Sequence, residues 1–141
     1  MTQTPIEVPN IPHFVHETAT RWSDEDNQGV LNNAVYMTLF EEARLGFCRM
    51  AELLEDGRFP FLLAETRVKF LRPGRGGTAV RVELTTVHIG NSSFRQVYRV
   101  RTESGEVWSE AEAVLVCYDP KTGASRPIPE DLRDALSALM D

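Results

Sequence analysis

The chain has 141 residues, 42% hydrophobic and 26% charged, with a net charge of −6. That is the size and balance of one ordinary domain with enough apolar material for a core. The acidic balance excludes bulk nucleic-acid binding, which needs a basic footprint, and no apolar stretch approaches the roughly 20 residues that cross a bilayer.

Residues 1–12 contain three prolines and little pattern, and read as a loose arm without the basic start and apolar run of a signal peptide. Residues 14–22 read as a strand, with Phe14, His16, Thr18, Thr20 and Trp22 on one face. Residues 23–32 are polar, contain Gly29 and form a loop. From Asn33 to about Leu54 the spacing turns helical. Tyr36, Phe40, Ala43, Phe47, Met50 and Leu54 share one face, and Val35, Leu39 and Leu45 add a second. Glu41, Glu42 and Arg44 are left as a narrow polar seam. Asn32 or Asn33 suits the N-cap, and Glu55-Asp56-Gly57 a stop.

Strand patterns follow at 62–71, 78–88, 93–102 and 107–118, separated by turn residues, and a short helix is expected at 129–140. No repeat or linker divides the chain. The expected fold class is α+β: an antiparallel sheet of about five strands curled around one long helix, with a short C-terminal helix. One helix cannot cover both faces and both edges of such a sheet, so a partner subunit is expected, most simply across a two-fold axis.

Several chemistries lack their signatures. There is no G-x-S-x-G elbow, and Arg72-Pro73-Gly74-Arg75-Gly76-Gly77 is a glycine-rich turn without the phosphate-loop pattern. His13, His16 and His88 have no metal-ligand spacing, and no cofactor is implied. Cys48 and Cys117 form no CxxC pair and read as reduced core thiols, which makes the cytoplasm the default location. The loop before the helix does carry a signal: Asp24, Glu25 and Asp26 place three carboxylates just upstream of a helix N-terminus. An acidic capping turn would have that composition. So would an acyl-transfer site, because the first free helix N–H groups can stabilise charge on a carbonyl oxygen beside a carboxylate.

The run Trp22-Ser23-Asp24-Glu25-Asp26-Asn27-Gln28-Gly29-Val30-Leu31-Asn32-Asn33-Ala34-Val35-Tyr36, followed by Phe40-Glu41-Glu42-Ala43-Arg44, resembles the hot-dog-fold acyl-CoA thioesterases, in their 4-hydroxybenzoyl-CoA thioesterase-like branch. Val68-Lys69-Phe70-Leu71-Arg72-Pro73, Ile89-Gly90-Asn91-Ser92-Ser93-Phe94 and Val114-Leu115-Val116 match the same layout, so the resemblance spans about residues 14–120. It implies a hot-dog fold, a homodimer or a dimer of dimers, and an active site shared between subunits that hydrolyses acyl-CoA without a metal. It also implies that the second aspartate, Asp26, is catalytic as nucleophile or general base, and that the Asn33 backbone N–H polarises the carbonyl. Gly29, Tyr36, Arg72 and the turn Asn91, Ser92 and Ser93 are the expected substrate contacts, with Arg75 and Arg95 as further phosphate partners. Asp24, Glu41 and Glu42 are the rival carboxylates, since other hot-dog branches use a helix glutamate; one of the two glutamates is expected to be solvated or paired with Arg44.

The chain departs from the pattern at Val30 and Asn33, where many relatives carry a histidine. Two other readings therefore stand beside the thioesterase: a non-catalytic acyl-CoA or acyl-carrier binding protein, and a hot-dog dehydratase or hydratase. The latter needs a histidine paired with a carboxylate, and no such pair is expected from the sequence.

Overall fold

In the computed structural model, which describes residues 4–140, the chain runs β1 (Phe14–Ala19), a 3-10 turn (Trp22–Asp24), α1 (Asn33–Met50), β2 (Phe61–Phe70), β3 (Ala79–Ile89), β4 (Ser93–Thr102), β5 (Val107–Cys117) and α2 (Glu130–Ser137). All strand pairings are antiparallel, in the order β1-β3-β4-β5-β2. The long helix against one five-stranded sheet, with a short helix at the end, is the hot-dog arrangement expected from the sequence.

Alternation along the strands gives the sheet two faces. Phe14, Leu84, Tyr98, Ala111 and Val68 are successive cross-strand neighbours and form one inner row. Phe40 of α1 stacks on the Tyr98 ring at 5.2 Å between centroids. Tyr36, Leu39, Ala43, Phe47 and Cys48 are buried on the same side. The Cys48 and Cys117 thiols are free and buried, and burial pushes them up to about 12 and about 11.

Neighbours one residue out of phase form an outer row of Val15, Glu83, Arg99, Glu110 and Lys69. Arg99 donates to Glu110 at 2.9 Å and to the Val8 carbonyl at 3.2 Å. Residues 4–12 form no helix or strand, yet Ile6 is buried and the Thr4 carbonyl accepts from Arg67.

Three local expectations are corrected. The first strand stops at Ala19, because residues 22–24 close a 3-10 turn that leaves Trp22 82% exposed. The helix stops at Met50, because Glu52 adopts φ +55° and the Leu53 N–H bonds back to the Cys48 carbonyl at 2.8 Å. That reversal turns Leu53 into the core and leaves Met50 61% exposed, outside the core face. Arg44 is no part of a polar seam. It is buried, donates to the Tyr98 hydroxyl at 3.1 Å and lies 5.5 Å from that ring's centroid. Tyr98 in turn donates to Gln96, and Gln96 to Thr86. No helix among the described residues is long and apolar enough to cross a membrane.

Candidate active site

The acidic loop is a miniature hairpin. Glu25 bridges Leu31, the Asp26 N–H donates to the Val30 carbonyl at 2.8 Å, and the Gly29 N–H donates to the Asp26 carbonyl at 3.0 Å. Gly29 closes the turn at φ +73°, a left-handed conformation that glycine adopts without steric cost. The hairpin delivers the chain to Asn32, whose side chain caps α1 by accepting the Ala34 N–H at 2.9 Å.

The helix N-terminus is thus partly satisfied. Ala34 N–H is taken by the Asn32 side chain and Val35 N–H by the Asn32 carbonyl. The Asn33 N–H, first of the helix, has no intrahelical acceptor. Asn33 lines a cavity of about 220 Å³ with Val30, Leu31, Tyr36, Arg72 and residues 70, 71, 73 and 74. The positive end of the α1 dipole therefore opens on this cavity, where it favours negative charge. Tyr36 forms a buried wall. Its ring meets Phe70 edge-on at 5.3 Å, and burial raises its hydroxyl to about 12 against the opposing backbone hydrogen bond from Gly74. Arg72 is exposed at the rim, 3.4 Å from Glu106.

The three loop carboxylates have separate surroundings. Asp24 is buried and accepts the Arg21 N–H at 2.8 Å and its guanidinium at 3.0 Å. That backbone N–H holds the Asp24 carboxyl below its ordinary range, burial opposes it, and the guanidinium adds to the lowering. Glu25 accepts the Gly76 N–H at 2.8 Å. Asp26 is exposed and accepts the Gln28 N–H at 2.8 Å. Asp26 stands on the hairpin that forms one side of the cavity but is not among its lining residues.

Other expected site residues are spread out. Glu41 is exposed on α1. Glu42 pairs with His16, not with Arg44, at 3.3 Å. This histidine–carboxylate pair was not expected, because it is made across 26 residues by the edge strand running along the helix flank. Glu42 borders a separate groove with Thr18, Arg21, Asp24 and Thr38, and lies roughly 13 Å down the helix from Asn33. Arg95 pairs with Glu112 at 3.2 Å on the outer face. Arg75 donates to the Gly29 carbonyl, away from the cavity rim. The turn with Asn91, Ser92 and Ser93 stands at the other end of the sheet, where its carbonyls accept from Cys117, Ile128 and Arg133. Within one protomer it is roughly 23 Å along β4 from the row that carries Phe70.

Residues 20–136 match the thioesterase-like superfamily. The acyl-CoA thioester hydrolase YbgC of Escherichia coli O157:H7 is 23% identical over 128 residues, covering 84% of this chain and 96% of that protein. A Thermus thermophilus thioesterase solved in complex with coenzyme A and Zn is 33% identical with a TM-score of 0.78, covering 89% of this chain and 92% of that one. The 1,4-dihydroxy-2-naphthoyl-CoA thioesterase of Synechocystis superimposes with a TM-score of 0.81 at 20% identity, over 89% of this chain and 96% of that one, and so shares the fold.

Proposed function

The chain belongs to the thioesterase-like superfamily and is a thioester hydrolase, and from that premise we propose that it cleaves an acyl-CoA to the free acid and coenzyme A at the α1 N-terminus. What supports this reading is a helix N-terminus at which Asn33, whose N–H has no intrahelical acceptor, lines a cavity beside a hairpin whose exposed carboxylate is Asp26. The thioester carbonyl oxygen binds the Asn33 N–H, so that charge developing on it meets a preorganised donor and the helix dipole.

Asp26 then acts in one of two ways. As general base it takes a proton from water while the water oxygen bonds the carbonyl carbon; the C–S bond breaks and the thiolate collects the proton. As nucleophile it bonds the carbonyl carbon itself, the C–S bond breaks to release the coenzyme A thiolate, and water cleaves the resulting anhydride to the free acid and the Asp26 carboxylate, its surplus proton passing to the thiolate. Rapid-quench mass spectrometry separates them, since only the second accumulates an acylated chain. On either route Asp26→Asn removes turnover of a panel of acyl-CoAs while the assembly state is kept. Wild-type turnover in that variant would falsify the role.

The substrate's long arm and phosphates need more surface than the cavity offers. We assign the rest to a homodimer seam along β2, an unpaired edge strand with Leu62 and Leu63 56% and 40% exposed. Antiparallel pairing of two β2 strands about a two-fold axis brings residues 91–93 of one copy toward Tyr36 and Arg72 of the other. That pairing accounts for substrate contacts at both ends of one protomer's sheet, with Arg72 facing phosphate at the rim. A dimer of dimers is distinguished from a dimer by light scattering. A hydratase would instead use His16 and Glu42; loss of enoyl-CoA absorbance, abolished by His16→Ala, would support it. Acyl-CoA binding without turnover would support a carrier role.

A further inference from the structure

Three hydrogen bonds join the turn after β2 to the acidic hairpin. The Leu31 N–H donates to the Gly74 carbonyl at 2.9 Å, the Arg75 guanidinium donates to the Gly29 carbonyl, and the Gly76 N–H donates to the Glu25 carboxylate at 2.8 Å. The turn is anchored from behind by Thr20. Its hydroxyl donates to the Arg75 carbonyl at 2.6 Å, and its carbonyl accepts the Gly77 N–H at 2.9 Å. Neighbouring elements also leave no room for a side chain at two of the turn's glycines. A Cβ on Gly76 would lie 2.5 Å from the Arg21 carbonyl oxygen, and one on Gly74 would lie 2.7 Å from both the Tyr36 hydroxyl and the Trp108 ring.

We propose that residues 74–77 form a clamp in which Arg75 and Glu25 are positioning residues: Arg75 holds the Gly29 end of the hairpin and Glu25 ties its opposite strand to the turn, fixing Asp26 relative to the Asn33 N–H. Without these two bonds the hairpin hangs from the Leu31–Gly74 bond and its own ladder, and its tip is free to shift. A shift of about 1 Å between reacting groups costs on the order of a hundredfold in rate. The proposal rests on the assignment of Asp26 and Asn33 as the reacting pair.

The test measures kcat and KM on an acyl-CoA and on the matching N-acetylcysteamine thioester, which lacks the nucleotide phosphates. Arg75→Ala and Glu25→Ala are expected to lower kcat by about ten- to a hundredfold on both substrates, with KM within about threefold. Arg75→Lys keeps a donor and Glu25→Gln keeps an acceptor, so both should recover most of the lost kcat. Arg72→Glu serves as the phosphate comparator, raising KM on the acyl-CoA alone. A rise in KM confined to the acyl-CoA in Arg75→Ala would make Arg75 a phosphate contact and overturn the clamp. Glu25→Gln as inactive as Glu25→Ala would make the charge itself necessary and overturn it equally. So would wild-type kcat in both alanine variants. Asp26→Asn, run alongside, reports on the underlying assignment: if it is fully active that assignment fails, and if it is dead while the alanine variants are unimpaired only the clamp fails.

Discussion

Three adjacent carboxylates occupy the loop before α1, and each has a different partner. Asp24 is spent on the Arg21 N–H inside the 3-10 turn, Glu25 on Gly76, and Asp26 on a short bond within its own turn. Because the Asp24 carboxyl is held below its ordinary value, the stability it contributes is complete above the unfolded carboxylate pKa of about 4 and is lost as pH falls through the lower folded value. Asp24→Asn keeps an acceptor for the Arg21 N–H but loses the charge, and should cost about 1–2 kcal/mol at neutral pH, most of it from weakening the charge-assisted bond to the buried backbone N–H, since the Arg21 guanidinium is on a side chain 78% exposed. Thermal melts across pH check this. The gap between variant and wild type should begin to narrow below about pH 4 and close as pH falls through the lower folded value, and a gap independent of pH would refute the linkage. The sequence brings these three acids together but does not apportion them. The Glu25 partner is 51 residues away, and no local pattern encodes such a contact.

Elements were legible where periodicity is local. The strand at 93–102 has the bounds expected of it, and the helix starts at Asn33 behind an Asn32 cap. Element ends were harder, because they depend on what the next residue packs against. The apolar spacing continues to Leu54, yet α1 closes with Glu52 in a left-handed conformation so that Leu53 can enter the core. A side chain with a Cβ carries a steric cost there of about 1 kcal/mol. Glu52→Gly should relieve it and raise the urea midpoint without changing the slope of the transition. An unchanged or lowered midpoint would mean that Glu52 is held by contacts worth more than the strain. Arg44 illustrates the same limit. Helical spacing places it among polar neighbours, but the Tyr98 hydroxyl draws its guanidinium beneath the helix.

At the scale of the molecule, the sheet ends on β1 at one side and β2 at the other. α1 fills the inner face, and β2 is left with an open hydrogen-bonding edge and exposed leucines. Leu62→Lys together with Leu63→Lys should leave the protomer folded, since neither side chain belongs to the buried core. The paired strands of the proposed seam would then carry four like charges, and light scattering should report a shift from dimer to monomer. Turnover should fall with it, although Asp26 and Asn33 are untouched, because the second copy no longer supplies residues 91–93. A double variant that stays dimeric would place the seam elsewhere.

The element order, most of the inward face of α1, the loop that precedes it and the family resemblance carried by that loop are all readable from the residues alone. These are local or periodic properties, written in residues a few positions apart. That Asp24 and Glu25 are structural acceptors, that Arg75 grips Gly29, that Arg44 lies under the helix and that His16 meets Glu42 emerges from the folded arrangement. Each of those depends on a hydrogen bond or packing contact whose geometry is set by how the sheet and helix come together, apart from the short Arg21–Asp24 bond, whose strength comes from the burial that the same packing imposes.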